Sequence, residues 1–169
     1  MRQSVKEITY GIAYGAYAKS ISSKINRTVA ETNKLIYKFS KAAPKLNRWL
    51  NGNAKQSILT RMSYSADIYK RRRTIRDPQE WQVRNVGLNN PVQSCGANMI
   101  KLAMISLDRK WNQVFPWHDD LILEVKKADA KKAAKELKIV MEKSADYCTG
   151  MPGLIKVDPR ITKTLQKDE

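Results

Sequence analysis

The amino-acid sequence predicts an α+β protein, in which a helical N-terminal part precedes an antiparallel β-hairpin covered by helices. Three observations support this class. Residues 1–15 and 28–50 place apolar side chains at helical spacing. Residues 115–125, FPWHDDLILEV, have β-rich residues on both sides of a polar trio, which predicts a hairpin. Residues 126–147 return to helical spacing, with apolar residues on one face and lysines on the other.

The composition indicates a polyanionic partner. The 169 residues contain 32 Lys and Arg against 16 Asp and Glu, a formal net charge of +16. A balance this basic favours nucleic acid as the partner. Two cysteines, Cys95 and Cys148, are too few for a disulfide framework and favour a reducing, intracellular setting. No run approaches the roughly 18 apolar residues of a spanning helix, so we expect a soluble, cytoplasmic protein without a membrane partner.

The segment MRQSVKEITYGIAYG is predicted to form an amphipathic helix. At about 100° per residue, Val5, Ile8 and Ile12 form one apolar stripe. The other face carries two cations and then two aromatic rings over roughly 18 Å of axis. These four residues are Arg2, Lys6, Tyr10 and Tyr14. A nucleoside triphosphate presents its phosphates, sugar and base in the same order.

Two glycines lie beside these rings. Gly11 and Gly15 cost helix stability, which indicates that some group must approach the helix closely there. Three other interpretations of the segment stay open. A secretory signal peptide is opposed by Glu7 and by three tyrosines in the apolar run. A helix on an anionic membrane lacks Trp, Phe or Leu on its apolar face. An ordinary solvated surface helix is the third.

Further helices are predicted up to residue 52. Thr28 with Glu31 has the spacing of a capping box, so a helix should begin there. Pro44 should end or kink that helix. A short helix should follow and close at Gly52. Residues 53–82 have no clear periodicity, but their basic run at residues 70–76 is interpreted as a phosphate contact, with a nuclear-localisation-like patch as the alternative.

The second half begins with a helix around residues 89–107, for which Pro91 suits the first turn. The polar trio His118, Asp119 and Asp120 is placed at the tip of the hairpin that follows, although most such turns are merely solvated. The helix over residues 126–147 should cover one face of the sheet. Residues 154–161, LIKVDPRI, alternate and predict a final short strand.

The first helix resembles motif B of the family A (polymerase I-like) DNA polymerases, the fingers helix that grips the incoming nucleotide. Every spacing of that motif is kept, by Arg2, Lys6, Tyr10, Gly11, Tyr14 and Gly15. Thr9 stands where the family usually has Asn. Between fingers and palm the family often has a basic, hairpin-like connection, which the run at residues 70–76 matches.

Two later segments resemble the same family. Positions of its Asn-Pro-Gln helix are kept by Asn89, Pro91, Gln93 and Lys101, while Asn98 replaces the usual Asp. The hairpin resembles motif C, His-Asp-Glu followed by an apolar strand, with Asp120 in place of Glu. The resemblance therefore covers nearly the whole chain. It implies a fingers portion at residues 1–82 and a palm portion at residues 83–169.

The resemblance implies DNA-directed DNA polymerase activity in DNA replication. A primer 3′-hydroxyl would attack the α-phosphate of a deoxynucleoside triphosphate (dNTP), with two Mg²⁺ ions supporting the nucleotidyl transfer. Arg2 and Lys6 would bind the triphosphate, Lys6 would also protonate the pyrophosphate, and Tyr10 and Tyr14 would frame sugar and base. Asn89, Gln93 and His118 would contact primer–template DNA. Asp119 is the metal ligand of first choice, and Asp120 is the second candidate.

The family's first palm motif, an Asp-Tyr-Ser-like strand with a shared metal ligand, lies upstream of motif B. The Tyr-Ser-Ala-Asp sequence at residues 64–67 resembles it superficially but follows motif B. We therefore expect a second polypeptide to supply that motif and the thumb, as in a split phage replication polymerase working in a bacterial or phage-infected cytoplasm. An excised piece and a decayed remnant are alternatives.

A non-catalytic nucleic-acid-binding accessory protein is the alternative of a different class. It explains the charge of +16. It does not explain Asp119 and Asp120, since acidic residues are unfavourable on a DNA-binding surface unless a metal neutralises them.

Overall fold

The computed structural model describes residues 2–76, 79–107, 109–117 and 119–164. Within these residues, helices alternate with two short hairpins, which confirms the α+β class. The helices are α1 (Arg2–Ala13), α2 (Ala18–Ile25), α3 (Val29–Ala42), α4 (Pro44–Thr60), α5 (Glu80–Ser106) and α6 (Ala130–Thr149). The strands are β1 (Met62–Tyr64), β2 (Arg72–Thr74), β3 (Asn112–Trp117) and β4 (Asp120–Glu124). None of the described helices is long and apolar enough to cross a membrane.

The chain divides into two compact units. The helical unit comprises Met1–Ser65 and Lys70–Gln93, and the hairpin unit comprises Ala66–Tyr69 and Ser94–Glu169. One boundary falls within α5, between Gln93 and Ser94, and the other two lie on either side of Ala66–Tyr69. Assignment of residues 1–82 to fingers and 83–169 to palm stays a prediction.

The helical unit is built around α1, α4 and α5. Ile12 of α1 packs against a buried cluster formed by Leu50, Ala54 and Leu88. This contact explains the apolar stripe of the first helix, since Ile12 belongs to it. Ile12 on the apolar face of α1 therefore packs into a core, while Tyr10 and Tyr14 remain exposed.

Helix α3 begins with the predicted capping box. The backbone N–H of Glu31 donates to the Thr28 hydroxyl at 3.2 Å, and the backbone N–H of Thr28 donates to the Glu31 carboxylate at 2.9 Å. The backbone N–H of Thr28, and then its hydroxyl, lower the pKa of Glu31. Both partners of the box are thus satisfied at the start of the helix.

Helix α4 is longer than the sequence suggested. The expected closure at Gly52 is wrong, because α4 continues to Thr60 with Gly52 exposed in its interior. Leu50, Ala54 and Ser57 are buried on one face of α4. This burial outweighs the cost of a glycine in a helix, which is about 1 kcal/mol. Pro44 occupies the first turn of α4, where its missing N–H has no intrahelical partner to lose.

Helix α5 also begins earlier than predicted. The predicted position of Pro91 in the first turn is wrong, because α5 begins at Glu80 and Pro91 lies buried in its interior. An interior proline costs about 3 kcal/mol. Val83 and Leu88 are buried before the proline, and Ala103 is buried after it. Burial along the length of the helix therefore outweighs the lost hydrogen bond.

The basic run of residues 70–76 belongs to a hairpin, as the resemblance implied. Strands β1 and β2 pair antiparallel, with Met62 opposite Thr74 and Tyr64 opposite Arg72. The hydroxyl of Ser65 closes the loop by accepting from the backbone N–H of Arg71 at 2.7 Å. All three β2 residues are exposed, so the charges of Arg72 and Arg73 face solvent.

The hairpin unit has its own core. Strands β3 and β4 pair antiparallel from Asn112 opposite Glu124 to Trp117 opposite Asp120, with a bulge between Gln113 and Phe115. Helix α6 packs on this hairpin, which confirms the predicted cover of one sheet face. The buried members of this core are Leu107, Trp111, Leu121 and Ala133.

The predicted final strand at residues 154–161 is wrong. Up to residue 164, the described segment after α6 contains no strand, and each sheet has only two strands. A strand requires a hydrogen-bonded neighbour. The backbone N–H of Val157 donates instead to a side chain, the Glu142 carboxylate, at 3.1 Å. Pro159 has no N–H to offer, and Leu154 and Ile161 stay exposed, so the alternating pattern meets no core.

Candidate functional site

Two tyrosines mark the C-terminal end of α1. Tyr10 and Tyr14 are 49% and 41% exposed, and their stacked rings lie 6.0 Å apart with planes 19° from parallel. The backbone N–H of Tyr14 donates to the Tyr10 carbonyl at 2.8 Å, which carries the helical spacing one residue past α1. Residues four apart lie on the same helix face. The two rings therefore form one exposed aromatic surface, as their spacing predicts.

Three of the predicted site residues cannot be placed. The side chains of Arg2 and Lys6 lie outside the described residues, although the backbone at both positions is helical. His118 also lies outside the described residues. Their assigned roles stay predictions.

Helix α5 contacts Tyr14 through two of the predicted DNA-binding residues. The Gln93 amide Nε2 donates to the Tyr14 phenol oxygen at 2.9 Å. The Asn89 amide Nδ2 donates a longer bond, 3.4 Å, to the Tyr14 backbone carbonyl. The structure therefore brings together residues that are 75 and 79 positions apart in the sequence.

The same face of α5 holds a residue that the sequence analysis missed. Asn85 lies one helical turn before Asn89, and Gln93 lies one turn after it. The side-chain carbonyl oxygens of Asn85 and Asn89 are buried and have no hydrogen-bond partner among the described residues. The spacing of 85, 89 and 93 was the available signal. The amides of Asn89 and Gln93 lie beside Tyr14, and the amide of Asn85 lies beside Gly15.

The glycines beside the tyrosines accommodate other parts of the protein. Gly15 is buried with φ +71°, and a Cβ there would lie 2.8 Å from Leu88 Cδ1 and would also collide with the Asn85 amide. A Cβ on Gly11 would lie 2.7 Å from Ile21 Cδ1. The close approach that the sequence indicated is therefore made by side chains of α2 and α5.

The hairpin unit presents two adjacent carboxylates. Asp119 lies in the turn between β3 and β4, Asp120 opens β4 opposite Trp117, and both acids are exposed. Carboxylate oxygens suit Mg²⁺, which usually takes one or two carboxylates together with water and substrate phosphates. In the described part of the chain, no group of three or more His, Cys, Asp or Glu could hold a metal. Asp119 and Asp120 are two carboxylates, which is fewer than such a group contains.

Asp67, the acid of the Tyr-Ser-Ala-Asp sequence, is buried and hydrogen-bonded within the protein. It is only 2% exposed, and its carboxylate accepts from the Asn98 amide at 2.8 Å and from the backbone N–H of Tyr69 at 3.0 Å. Burial is the main cause of a raised pKa of the Cys148 thiol, and the Asp67 carboxylate raises this pKa further. Burial raises the pKa of the Tyr69 phenol, with smaller contributions from Cys148, Tyr147 and Asp67. Asp67 therefore anchors a loop of the hairpin unit and is not a candidate metal ligand.

The comparisons with known proteins agree on one family. The family model described as DNA polymerase family A matches residues 1–165. A thermostable DNA polymerase I of Thermus thermophilus is 28% identical over 155 residues, and that of Thermus aquaticus is 29% identical over 155 residues. Both matches cover 84% of this chain. DNA polymerase I of Bacillus caldotenax is 27% identical over 159 residues, which cover 85%.

The matched region is a small part of these relatives, since the chain spans 18% of the length of each. A solved structure has the same fold. The POL domain of Pol1 from M. smegmatis, in complex with DNA primer-template and dNTP, matches with a TM-score of 0.73 at 21% identity. The match covers 85% of this chain and 27% of that one.

Proposed function

This chain belongs to DNA polymerase family A, and on that premise we propose that it supplies the nucleotide-binding helix and a metal-binding hairpin of a DNA-directed DNA polymerase. The reaction is template-dependent nucleotidyl transfer: a primer 3′-hydroxyl attacks the α-phosphate of a dNTP and pyrophosphate leaves. The contact of Tyr14 with both Asn89 and Gln93 carries this proposal, because it unites the nucleotide motif with the primer–template motif.

The nucleotide would lie along α1. Arg2 and Lys6 bind the triphosphate by charge, and Lys6 donates a proton to the departing pyrophosphate. Tyr10 and Tyr14 frame the sugar and base, a role supported by their exposed, stacked rings. An aromatic surface of this kind is suited to a flat nucleobase.

Primer–template DNA would lie along α5. Asn89 and Gln93 contact the minor groove, where every Watson–Crick pair offers acceptors at similar positions. Gln93 is exposed, and its amide already lies beside the Tyr14 phenol. His118 would lie near the primer end. The exposed arginines of β2 add phosphate contacts that depend on charge and not on sequence.

Asp119 and Asp120 would hold Mg²⁺ at the hairpin tip. When bound, the metal activates the attacking hydroxyl and stabilises negative charge on the phosphate oxygens. These two acids cannot complete a two-metal site, so we propose that further carboxylate ligands and the thumb come from a segment outside residues 1–169. That segment lies on the same or on a second polypeptide. Bacterial or phage-infected cytoplasm, with DNA replication as the process, is the proposed setting.

Reconstitution tests the proposal. The purified chain is assayed for primer extension with Mg²⁺ and dNTPs, alone and with a polypeptide carrying the upstream palm motif and thumb of a family A polymerase. We expect extension only in the mixture, because the described residues contain no group of three or more His, Cys, Asp or Glu that could hold a metal ion. Extension by the chain alone would contradict the need for outside ligands. A mixture that binds primer–template tightly but never extends it would favour a non-catalytic DNA-binding role, for which the net charge of +16 is the supporting observation.

A further inference from the structure

Helix α3 exposes an aromatic ring among cations. Tyr37 is 62% exposed, and Lys34, Lys38 and Lys41 are exposed on the same side of the helix. At about 100° per residue, these four side chains fall within roughly 100° of arc. On the opposite side, Thr32 is fully buried. We name Lys34, Tyr37, Lys38 and Lys41 the α3 face.

The lysines of the α3 face form no ion pair within the described part of the chain. The one acid of α3, Glu31, is held by the capping box and by Arg27, whose guanidinium lies 3.5 Å from it. Among the described residues, the three lysine ammoniums have no ion-pair partner. Lys41 Nζ lies 5.5 Å from the centre of the Tyr37 ring, so charge and ring are in contact. Lys34 and Lys38 also line a surface hollow, together with Arg27, Glu31 and Leu35.

This arrangement matches the chemistry of one kind of partner. Single-stranded nucleic acid is bound by cations that contact its phosphates and by exposed rings on which its bases stack. The lysines extend over about 10 Å of helix axis, from Lys34 to Lys41. A duplex keeps its bases stacked on each other and would leave the ring without a partner.

We propose that the α3 face is a second nucleic-acid contact, which binds single-stranded nucleic acid by stacking one base on Tyr37 and pairing phosphates with the lysines. It shares no residue with the candidate site on α1 and α5. The proposal goes beyond the polymerase function, because it assigns a ligand to a surface with no part in the chemistry.

The role of the Tyr37 ring is tested by comparing a strand that has bases with a strand that has only sugar and phosphate. Binding of the full chain to a labelled oligothymidylate is measured by fluorescence anisotropy, alongside an abasic deoxyribose-phosphate strand of equal length. Tyr37→Ala should weaken oligothymidylate binding by at least about fivefold, since stacking is worth about 1–3 kcal/mol per base. Binding of the abasic strand should not change, and Tyr37→Phe should bind like the parent. Equal losses on both strands, or no loss on either, would overturn the proposal.

The lysines are tested with a matched triple variant. Lys34→Gln, Lys38→Gln and Lys41→Gln together remove three charges, as do Lys131→Gln, Lys132→Gln and Lys135→Gln on the exposed face of α6. The α3 triple should reduce the slope of log K against log salt by about 2, at about 0.7 for each phosphate contact. The α6 triple should leave the slope nearly unchanged.

Equal slopes for the two triples would show a diffuse effect of net charge and reject a specific surface. Equal losses on duplex and single strands would reject the single-stranded ligand. Circular dichroism checks that each variant keeps its helices. No readout here uses primer extension, so a negative result leaves the proposed polymerase function standing, and failed extension leaves this proposal standing.

Discussion

Gln93 donates a hydrogen bond from Nε2 to the phenol oxygen of Tyr14 at 2.9 Å, across 79 positions of sequence. The bond lies at the end of α1, where a second amide, that of Asn89, contacts the backbone of the same tyrosine. Two motifs that are separate in sequence are therefore one structural feature. A substitution at Tyr14 should therefore change the energetic effect of a substitution at Gln93, and the reverse should also hold.

Energetic coupling between Tyr14 and Gln93 is the first prediction. Tyr14→Phe and Gln93→Ala should each destabilise the chain by about 0.5–1.5 kcal/mol, the usual net value of a hydrogen bond. The double variant should lose less than the sum, because each change alone removes the same bond. Urea unfolding measures the three values. Tyr17→Phe, at an exposed ring, is the control and should be additive with Gln93→Ala. Additive losses for Tyr14 would contradict the prediction.

The buried pair Asn98–Asp67 gives the second prediction. Asn98→Asp, which restores the residue usual in the family, should destabilise the chain by about 1–3 kcal/mol or more. It removes a donor to a buried carboxylate and adds a like charge beside it. The control is Asn112→Asp, which alters an exposed amide–carboxylate contact with Glu124 and should cost much less. Equal costs at the two sites would show that burial is not the cause.

Asp119→Asn in the assembled enzyme is the third prediction. Primer extension should be abolished, while primer–template affinity stays nearly unchanged. A metal ligand acts on charge in the transition state, whereas duplex affinity comes from many phosphate contacts. Extension and anisotropy assays are run in parallel, with Asp129→Asn, an exposed acid of the same unit, as the control. A parallel fall of extension and binding would make Asp119 structural.

Substrate choice at Tyr10 is the fourth prediction. A phenol beside the sugar of the nucleotide can replace the hydrogen bonding of a missing 3′-hydroxyl, whereas a phenyl ring leaves that site unpaired. The assembled enzyme should therefore use 2′,3′-dideoxynucleotides almost as well as dNTPs. Tyr10→Phe should restore discrimination by about 1–3 kcal/mol with little effect on dNTP incorporation. Competition between the two substrates measures the ratio, with Tyr17→Phe as control. An unchanged ratio would remove Tyr10 from the sugar site.

Acid sensitivity of α3 is the fifth prediction. The backbone N–H of Thr28 lowers the pKa of Glu31 from its ordinary value of 4.5. The ionised carboxylate therefore stabilises the fold when the pH is above 4.5, and this stabilisation is lost as the pH falls below that value. Glu31→Gln should flatten this part of the pH profile in urea unfolding. Thr28→Ala should lower stability by about 1 kcal/mol but keep most of the pH dependence, since its backbone N–H remains. A profile as flat in Thr28→Ala as in Glu31→Gln would assign the effect to the hydroxyl.

Local patterns in the sequence were sufficient where neighbouring residues interact with one another. The capping box of Thr28 and Glu31 depends on residues three positions apart, and the hairpin of β3 and β4 depends on two segments that are adjacent in the sequence. The order of the three motifs was sufficient for the family, which the match over residues 1–165 shows. Spacing alone also placed Tyr10 and Tyr14 on one face.

Contacts distant in sequence decided the rest. Gly52 and Pro91 lie inside helices because burial of α4 and α5 outweighs their local preferences. Residues 154–161 form no strand in the described part of the chain, where each sheet pairs only two strands. The place of Asn85 beside Gly15 appears only once α1 and α5 are packed together. Periodicity reports which residues share a face of one element. Only the tertiary structure decides what that face meets, because packing free energy depends on residues that the local pattern does not contain.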